Sequence, residues 1–219
     1  RWRCDGPMAR RPVVDRFLNE RSLLATGLWP LAGVDEAGRG PLAGPVVCAA
    51  VILPPDDGLI GLDDSKKIGE AKREALHDAI LAVACAACIQ FIDAATIDRM
   101  NILQATLHGM RRAVLGLQLA PELVLIDGNR LPADLPCPAR ALVGGDGLVR
   151  SIMAASILAK VSRDRHLRAL DARFPVYGFA RNKGYPTAEH LAALLRHGPC
   201  PEHRRSYGPV QQASLFSPG

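Results

Sequence analysis

The residues that could do chemistry are concentrated in Gly33-Val34-Asp35-Glu36-Ala37-Gly38-Arg39-Gly40-Pro41. Two adjacent carboxylates close an apolar run. Successive side chains on a strand point to opposite faces, so both reach one site only where the strand ends or kinks. Gly38 and Gly40 supply that freedom. They do not make a dinucleotide loop, because the third glycine is missing and Pro41 follows directly. Two more carboxylates hold comparable places: Asp127 closes the apolar run 123–126, and Asp146 follows the run 139–143 after two glycines. Acids gathered at neighbouring strand ends repel one another unless a cation neutralises them. An oxygen-only donor set suits Mg2+ or Mn2+, and paired hard ions are a recurring solution for in-line displacement at phosphorus. The bland alternative is a solvated turn with an incidental acidic pair.

The elements that must position these acids follow from apolar periodicity. Runs 31–35 and 46–53 read as buried strands, and their Gly/Pro-rich link 38–45 is too short for a crossover helix. Runs 88–92, 123–127 and 139–143 complete the strand set. Helical spacing covers 68–84, 97–116, 149–173 and 187–195, the last with Thr187 as N-cap, and a short helix is expected over 13–24. On the long helix, Ile152, Ser156, Ala159 and Arg163 share one stripe. Strands mixed with helices predict an α/β fold, a mixed sheet with helices packed on it.

The chain has 219 residues, 48 % of them hydrophobic and 22 % charged, with a mean hydropathy of +0.07. That is one globular domain's worth of core, which excludes a disordered chain. The apolar runs 46–53 and 81–88 fall far short of the ~18 residues of a membrane span. Net charge is +5, and residues 150–205 hold 11 Lys/Arg against 4 Asp/Glu, so a basic face suited to a polyanion is expected. Of six cysteines, Cys85 and Cys88 have CxxC spacing but no second pair or nearby His, so they read as buried small hydrophobes rather than a zinc site. No apolar stretch follows the basic N-terminal residues as a signal peptide requires, and a cytoplasmic location is expected.

From Gly33 to Val46 the chain closely resembles the opening motif of ribonuclease HII, the type 2 ribonuclease H. The resemblance continues through Leu62-Asp-Asp-Ser-Lys-Lys67, Ile126-Asp-Gly-Asn129 and Gly145-Asp146. Beyond these come Ala154-Ala-Ser-Ile-Leu-Ala-Lys160 with Arg163-Asp164, Asn182-Lys-Gly-Tyr-Pro-Thr187 and Glu202-His-Arg-Arg-Ser-Tyr207. Motifs in this order cover roughly residues 13–210.

The resemblance implies a ribonuclease H-like mixed sheet flanked by helices with a C-terminal helical part. The expected division is an N-terminal extension at 1–28, a catalytic domain at 29–208 and a tail at 209–219. It implies an endonuclease that cleaves the RNA strand of RNA–DNA hybrids and nicks 5′ of single ribonucleotides in duplex DNA, leaving 5′-phosphate and 3′-hydroxyl ends. Mn2+ or Mg2+ would be held by Asp35, Glu36, Asp127 and Asp146. The Gly38-Arg39-Gly40 turn would sense a 2′-hydroxyl, the group that separates RNA from DNA. Tyr185 would pack on the deoxyribose at the RNA-to-DNA junction. Ser65, Lys66, Lys67, Lys183, Arg204 and Arg205 would contact phosphates. Asp164 is expected in an i,i+4 pair with Arg168 rather than at a metal, and His203 as a proton shuttle or a phosphate or structural contact. Asn182 stands where relatives usually carry His.

Gln212-Ala-Ser-Leu215-Phe216 resembles the pentapeptide by which bacterial replication and repair proteins dock on the sliding clamp. A monomer without membrane contact is expected. The rival readings are a non-catalytic nucleic-acid-binding module and a metal phosphohydrolase acting on nucleotides.

Overall fold

A computed structural model describes residues 18–62 and 69–216. Strands β1 (Leu31–Ala37), β2 (Val46–Ile52), β3 (Ala86–Ile92), β4 (Leu123–Asp127) and β5 (Ala139–Leu142) form one sheet in the order β3-β2-β1-β4-β5. The short link after β1 makes β1 and β2 antiparallel, as β2 and β3 are; β4 runs parallel to β1 and β5 parallel to β4. The mixed sheet is therefore as expected. The intervening helices are α1 (Leu18–Ala25), α2 (Glu70–Val83), α3 (Ala94–Met100), α4 (Ile102–Leu115) and α5 (Arg150–Arg173). Among the described residues no helix is long and apolar enough to cross a membrane.

Side-chain alternation assigns the two faces. Val47, Ala49 and Val51 of β2 meet Met153, Ile157 and Leu158 of α5 and Leu76 and Ile80 of α2. Cys48, Ala50 and Ile52 point the other way, with Ala32 and Val34, onto Met110, Ala113 and Val114 of α4. The stretch 97–116, expected as one helix, is broken at Asn101, whose φ of 67° no helix accommodates and whose side chain caps α4 by accepting from Gln104 N at 3.1 Å.

Two long-range devices seat α5 on β1. A Cβ on Gly33 would lie 2.1 Å from the Ser151 carbonyl carbon and 2.3 Å from Ile152 N, so helix backbone rests directly on strand backbone. The α5 N-terminus has no cap from its own neighbours. Instead Glu20 of α1, buried, accepts from Arg150 N at 2.6 Å and reaches Ser151 N at 3.3 Å, satisfying amides that a helix start leaves open. Gly33→Ala therefore forces backbone to shift and is expected to destabilise the fold by about 3 kcal/mol. A urea titration checks this, and a change under about 1 kcal/mol would show that α5 is free to slide.

The C-terminal part comprises α6 (Phe179–Asn182), α7 (Ala188–His197) and α8 (Gly208–Phe216). Residues 209–216 of the stretch expected as a tail belong to α8, which is helical because Val210 and Ala213 bury against Leu42 and Leu194. The helix expected from residue 13 starts at Leu18 within the described residues.

Candidate active site

The acidic cluster is built by strand pairing. The parallel register of β1 and β4 pairs Val34 with Ile126, and the next residue on each strand is an aspartate, Asp35 and Asp127. Carboxyl ends of parallel strands are where sheets of this kind bind ligands. Asp35, 5 % exposed, faces α5 with Gly33 and is hydrogen-bonded to Ser156 and, at 2.7 Å, to the Glu36 amide. Glu36 faces α4 instead. With Asp127 it lines a cavity of about 360 Å³ that also takes in Arg39, Thr106, Met110, Asn129 and Arg130. Asp127 accepts from Gly145 N at 2.6 Å, which fixes the 3₁₀ turn Gly145–Gly147 carrying half-buried Asp146.

The electrostatics show strain of a useful kind. Burial first, then Glu36 and Asp127, push the Asp35 carboxyl well above the usual range. Burial and Asp127 likewise raise Glu36, against the pull of Arg39, whose guanidinium is 3.4 Å away. Among the described residues no three such groups already stand in a metal-coordinating arrangement. The donor set nonetheless fits a hard divalent cation: it is all oxygen, and mutual repulsion among its members is what a cation relieves.

The Gly38-Arg39-Gly40 turn is held from beneath by two buried arginines. Arg204, 0 % exposed, donates to the carbonyls of Gly38 (2.6 Å), Arg39 (2.7 Å) and Gly44 (2.9 and 3.1 Å) and to the Tyr207 hydroxyl (3.0 Å). Arg163 packs under Gly38 and donates to the carbonyls of Pro45, Ala43 and Lys183 at 3.0–3.1 Å, tying the segment just after the turn to the Lys183–Gly184 loop. Gly38, at φ 95°, has no room for a side chain, since a Cβ there would lie 2.0 Å from Arg163 Nε. In a trans peptide the N–H opposes the preceding C=O. With the Gly38 and Arg39 carbonyls turned onto Arg204, the Arg39 and Gly40 amides face away from it. Tyr185, 45 % exposed, stands at the other wall: a Cβ on Gly40 would be 3.7 Å from its ring.

Several expected site residues turn out differently. Arg204 cannot be a surface phosphate ligand, because its guanidinium is buried on neutral oxygens; Arg205 is exposed, with Asp98 holding its backbone amide at 2.8 Å. Lys183 is half-buried, in the left-handed region at φ 53°. Ser65, Lys66 and Lys67 lie outside the described residues. Asp164 pairs with Lys160 at 2.7 Å, not with Arg168, which Glu70 and Glu74 of α2 hold. Cys85 is exposed rather than buried. Buried Asn182 donates to Tyr177 O at 2.6 Å and accepts from Gly184 N at 2.8 Å, so it shapes the turn beneath Tyr185. Ser156 and Arg163 were missed as site residues. Their shared stripe on the long helix with Ile152 was the available signal.

The model of the family described as Ribonuclease HII matches residues 32–209. Ribonuclease HII 1 of Methylibium petroleiphilum is 59 % identical over 182 residues, covering 83 % of this chain and 91 % of its own. The solved ribonuclease H2 of Pyrococcus horikoshii superposes with a TM-score of 0.72 at 25 % identity, over 84 % of this chain and 97 % of that one. The ribonuclease HII of Archaeoglobus fulgidus, solved in complex with PCNA, gives a TM-score of 0.64 at 28 % identity, over 76 % of this chain and 87 % of that one. The chain belongs to the ribonuclease HII family and is a metal-dependent endoribonuclease acting on RNA–DNA hybrids.

Proposed function

We propose that this enzyme also nicks duplex DNA 5′ of single embedded ribonucleotides, leaving 5′-phosphate and 3′-hydroxyl ends, as a cytoplasmic monomer. The observation that carries the reading is the apposition of Tyr185 to the Gly38-Arg39-Gly40 turn, with Arg39 reaching on to Glu36. One wall offers amides to a 2′-hydroxyl and the other an aromatic face to a sugar lacking one, which is the chemistry of an RNA-to-DNA junction. Asp35, Glu36, Asp127 and Asp146 are assigned to hold Mn2+ or Mg2+, which when bound supplies an activated water and neutralises charge at the phosphate. The chain's own work is positional. Ser156 and the Glu36 amide orient Asp35, and the Gly145 amide orients Asp127. Arg204 and Arg163 aim the turn, and Lys183 and Arg205 supply positive charge along the phosphate path. The segment 65–67 is assigned the same role.

The test is cleavage of a DNA duplex carrying one ribonucleotide, with Mg2+, Mn2+ or EDTA, for wild type and Asp127→Asn. Nicking 5′ of the ribonucleotide is expected with metal, absent in EDTA and reduced by at least about 10³-fold in the variant. A duplex that binds and is not nicked with either metal would instead favour a binding module. Hydrolysis of mononucleotides alone would favour a nucleotide phosphohydrolase.

A second contact is assigned to the sliding clamp through Gln212, Leu215 and Phe216, on the resemblance of this pentapeptide to clamp-docking segments. Leu215 is 82 % exposed at the end of α8, on the side away from buried Val210 and Ala213. Docking in extended form would unwind that last turn. Leu215→Ala/Phe216→Ala is expected to weaken clamp binding at least about tenfold in a pull-down titration, and undiminished binding would remove the assignment.

A further inference from the structure

Outside the acidic cluster, two histidines are buried in contact: His190 of α7, 0 % exposed, and His203, 1 % exposed, on the bridge to Ala43. Their Nε2 atoms are 3.1 Å apart. His190 Nδ1 lies 2.9 Å from the Tyr185 carbonyl oxygen, and His203 Nδ1 lies 3.1 Å from the Cys200 backbone nitrogen. Donor and acceptor roles along this line follow from its two ends. The Cys200 amide only donates, so His203 Nδ1 accepts and the neutral ring carries its proton on Nε2. That N–H donates to His190 Nε2. The His190 proton is then on Nδ1, where it donates to the Tyr185 carbonyl, which only accepts. A further proton on either ring would set two N–H groups against each other.

The surroundings keep both rings neutral. Tyr177 and Phe179 pack against both imidazoles, and the Tyr177 hydroxyl is turned away to donate to Gly198 O at 2.6 Å. The Cys200 thiol, 3.1 Å from His203 Nδ1, is raised by burial and stays protonated. Arg205 adds positive charge on the His203 side, while Glu202 acts on Cys200. Burial, then His190, push His203 down to about 4, and burial lowers His190 as well.

One end of the chain of bonds reaches the site at Tyr185, and His203 is held close to it by its backbone surroundings. His203 sits in a segment whose neighbours pair with the residues just after the turn: Gly44 N donates to Glu202 O at 2.9 Å and Arg204 N to Leu42 O at 2.8 Å. The Tyr185 carbonyl already accepts from Thr187 N at 2.8 Å, and His190 adds the second bond that fixes its plane. We propose that His190 and His203 are positioning residues, a neutral two-imidazole relay that locks the Tyr185 backbone and so its ring against Gly40. This rests on the reading of Tyr185 as the residue that senses the junction.

Two measurements test it. In wild type at pH 6, nitrogen-15 NMR of the imidazoles is expected to show both rings neutral, with protons on His190 Nδ1 and His203 Nε2. A cationic ring or the opposite tautomers would overturn the relay. Removing both partners leaves no imidazole unpaired, so His190→Leu/His203→Phe is expected to stay folded. Its preference, the ratio of kcat/KM for a single-ribonucleotide duplex over an all-RNA hybrid, is expected to drop about tenfold, towards that of Tyr185→Ala. A purely structural pair would keep the ratio once folding is retained, and that result overturns the positioning role. If Tyr185→Ala itself leaves the ratio unchanged, the reading of Tyr185 fails, and with it the purpose given to the relay, whatever the NMR shows.

Discussion

Asp35→Asn is expected to abolish cleavage and to raise the melting temperature of the metal-free protein at pH 7. Both effects have one cause. The Asp35 carboxyl is buried beside Glu36 and Asp127, and its pKa lies well above the 3.8 of an unperturbed aspartate. A raised folded value means that ionisation opposes folding: the stabilising contribution is full below the unfolded value and is lost as pH rises through the folded one. Glu36 shifts the same way, from 4.5 upward. Metal-free wild type should therefore lose stability as pH climbs from about 4 into the neutral range. Asparagine keeps the shape and an acceptor for the Glu36 amide without the charge. Removing the charge removes that penalty, so the variant should melt above the wild type in EDTA, and by more the higher the pH. Mn2+ should stabilise the wild type by about 2.7 kcal/mol at a hundred times its dissociation constant, and the variant far less. Calorimetry at pH 5–8 in EDTA, repeated with Mn2+, measures all of this. A variant that melts earlier than wild type, or still nicks, would show that the cluster is not a strained cation site.

How much of this site the sequence displays depends on how local the signal is. Asp35, Glu36 and Asp127 stand out because apolar runs end on them, and the parallel pairing of β1 with β4 sets two of those ends side by side. A short link between β1 and β2 likewise dictates their antiparallel pairing. Asp164 shows where local reasoning fails: Lys160 and Arg168 are both four residues away, and the choice falls to Glu70 and Glu74, which approach from α2 and claim Arg168. Glu20 caps a helix that begins 130 residues later, a relation that no periodicity carries. Arg204 misleads for a similar reason. An arginine in a basic segment of a nucleic-acid enzyme reads as a phosphate ligand, because charge counts are blind to burial.

That difference makes Arg204 decisive. Arg204→Lys is expected to destabilise the protein by about 2–4 kcal/mol and to raise KM for a ribonucleotide-containing duplex, while leaving the salt dependence of binding unchanged. The guanidinium donates along a planar fork to three carbonyls and a hydroxyl. A lysine ammonium, one nitrogen at the end of a flexible stem, cannot reach Gly38, Arg39 and Gly44 together. Each buried carbonyl left unbonded costs about 1–3 kcal/mol. The freed Gly38 and Arg39 peptides can then rotate, and the amides assigned to the 2′-hydroxyl lose their aim. Burial lowers the Arg204 pKa, and its bonded acceptors are neutral, so its charge is committed inside the protein. A phosphate ligand would behave otherwise: its loss would flatten the slope of log K against log salt by about 0.9 per contact and would leave stability nearly untouched. Measuring binding at several salt concentrations alongside the unfolding free energy separates the two. An unchanged slope with a weakened fold identifies Arg204 as the support under the sugar-reading turn. A flattened slope with an intact fold would place it on the phosphate path after all.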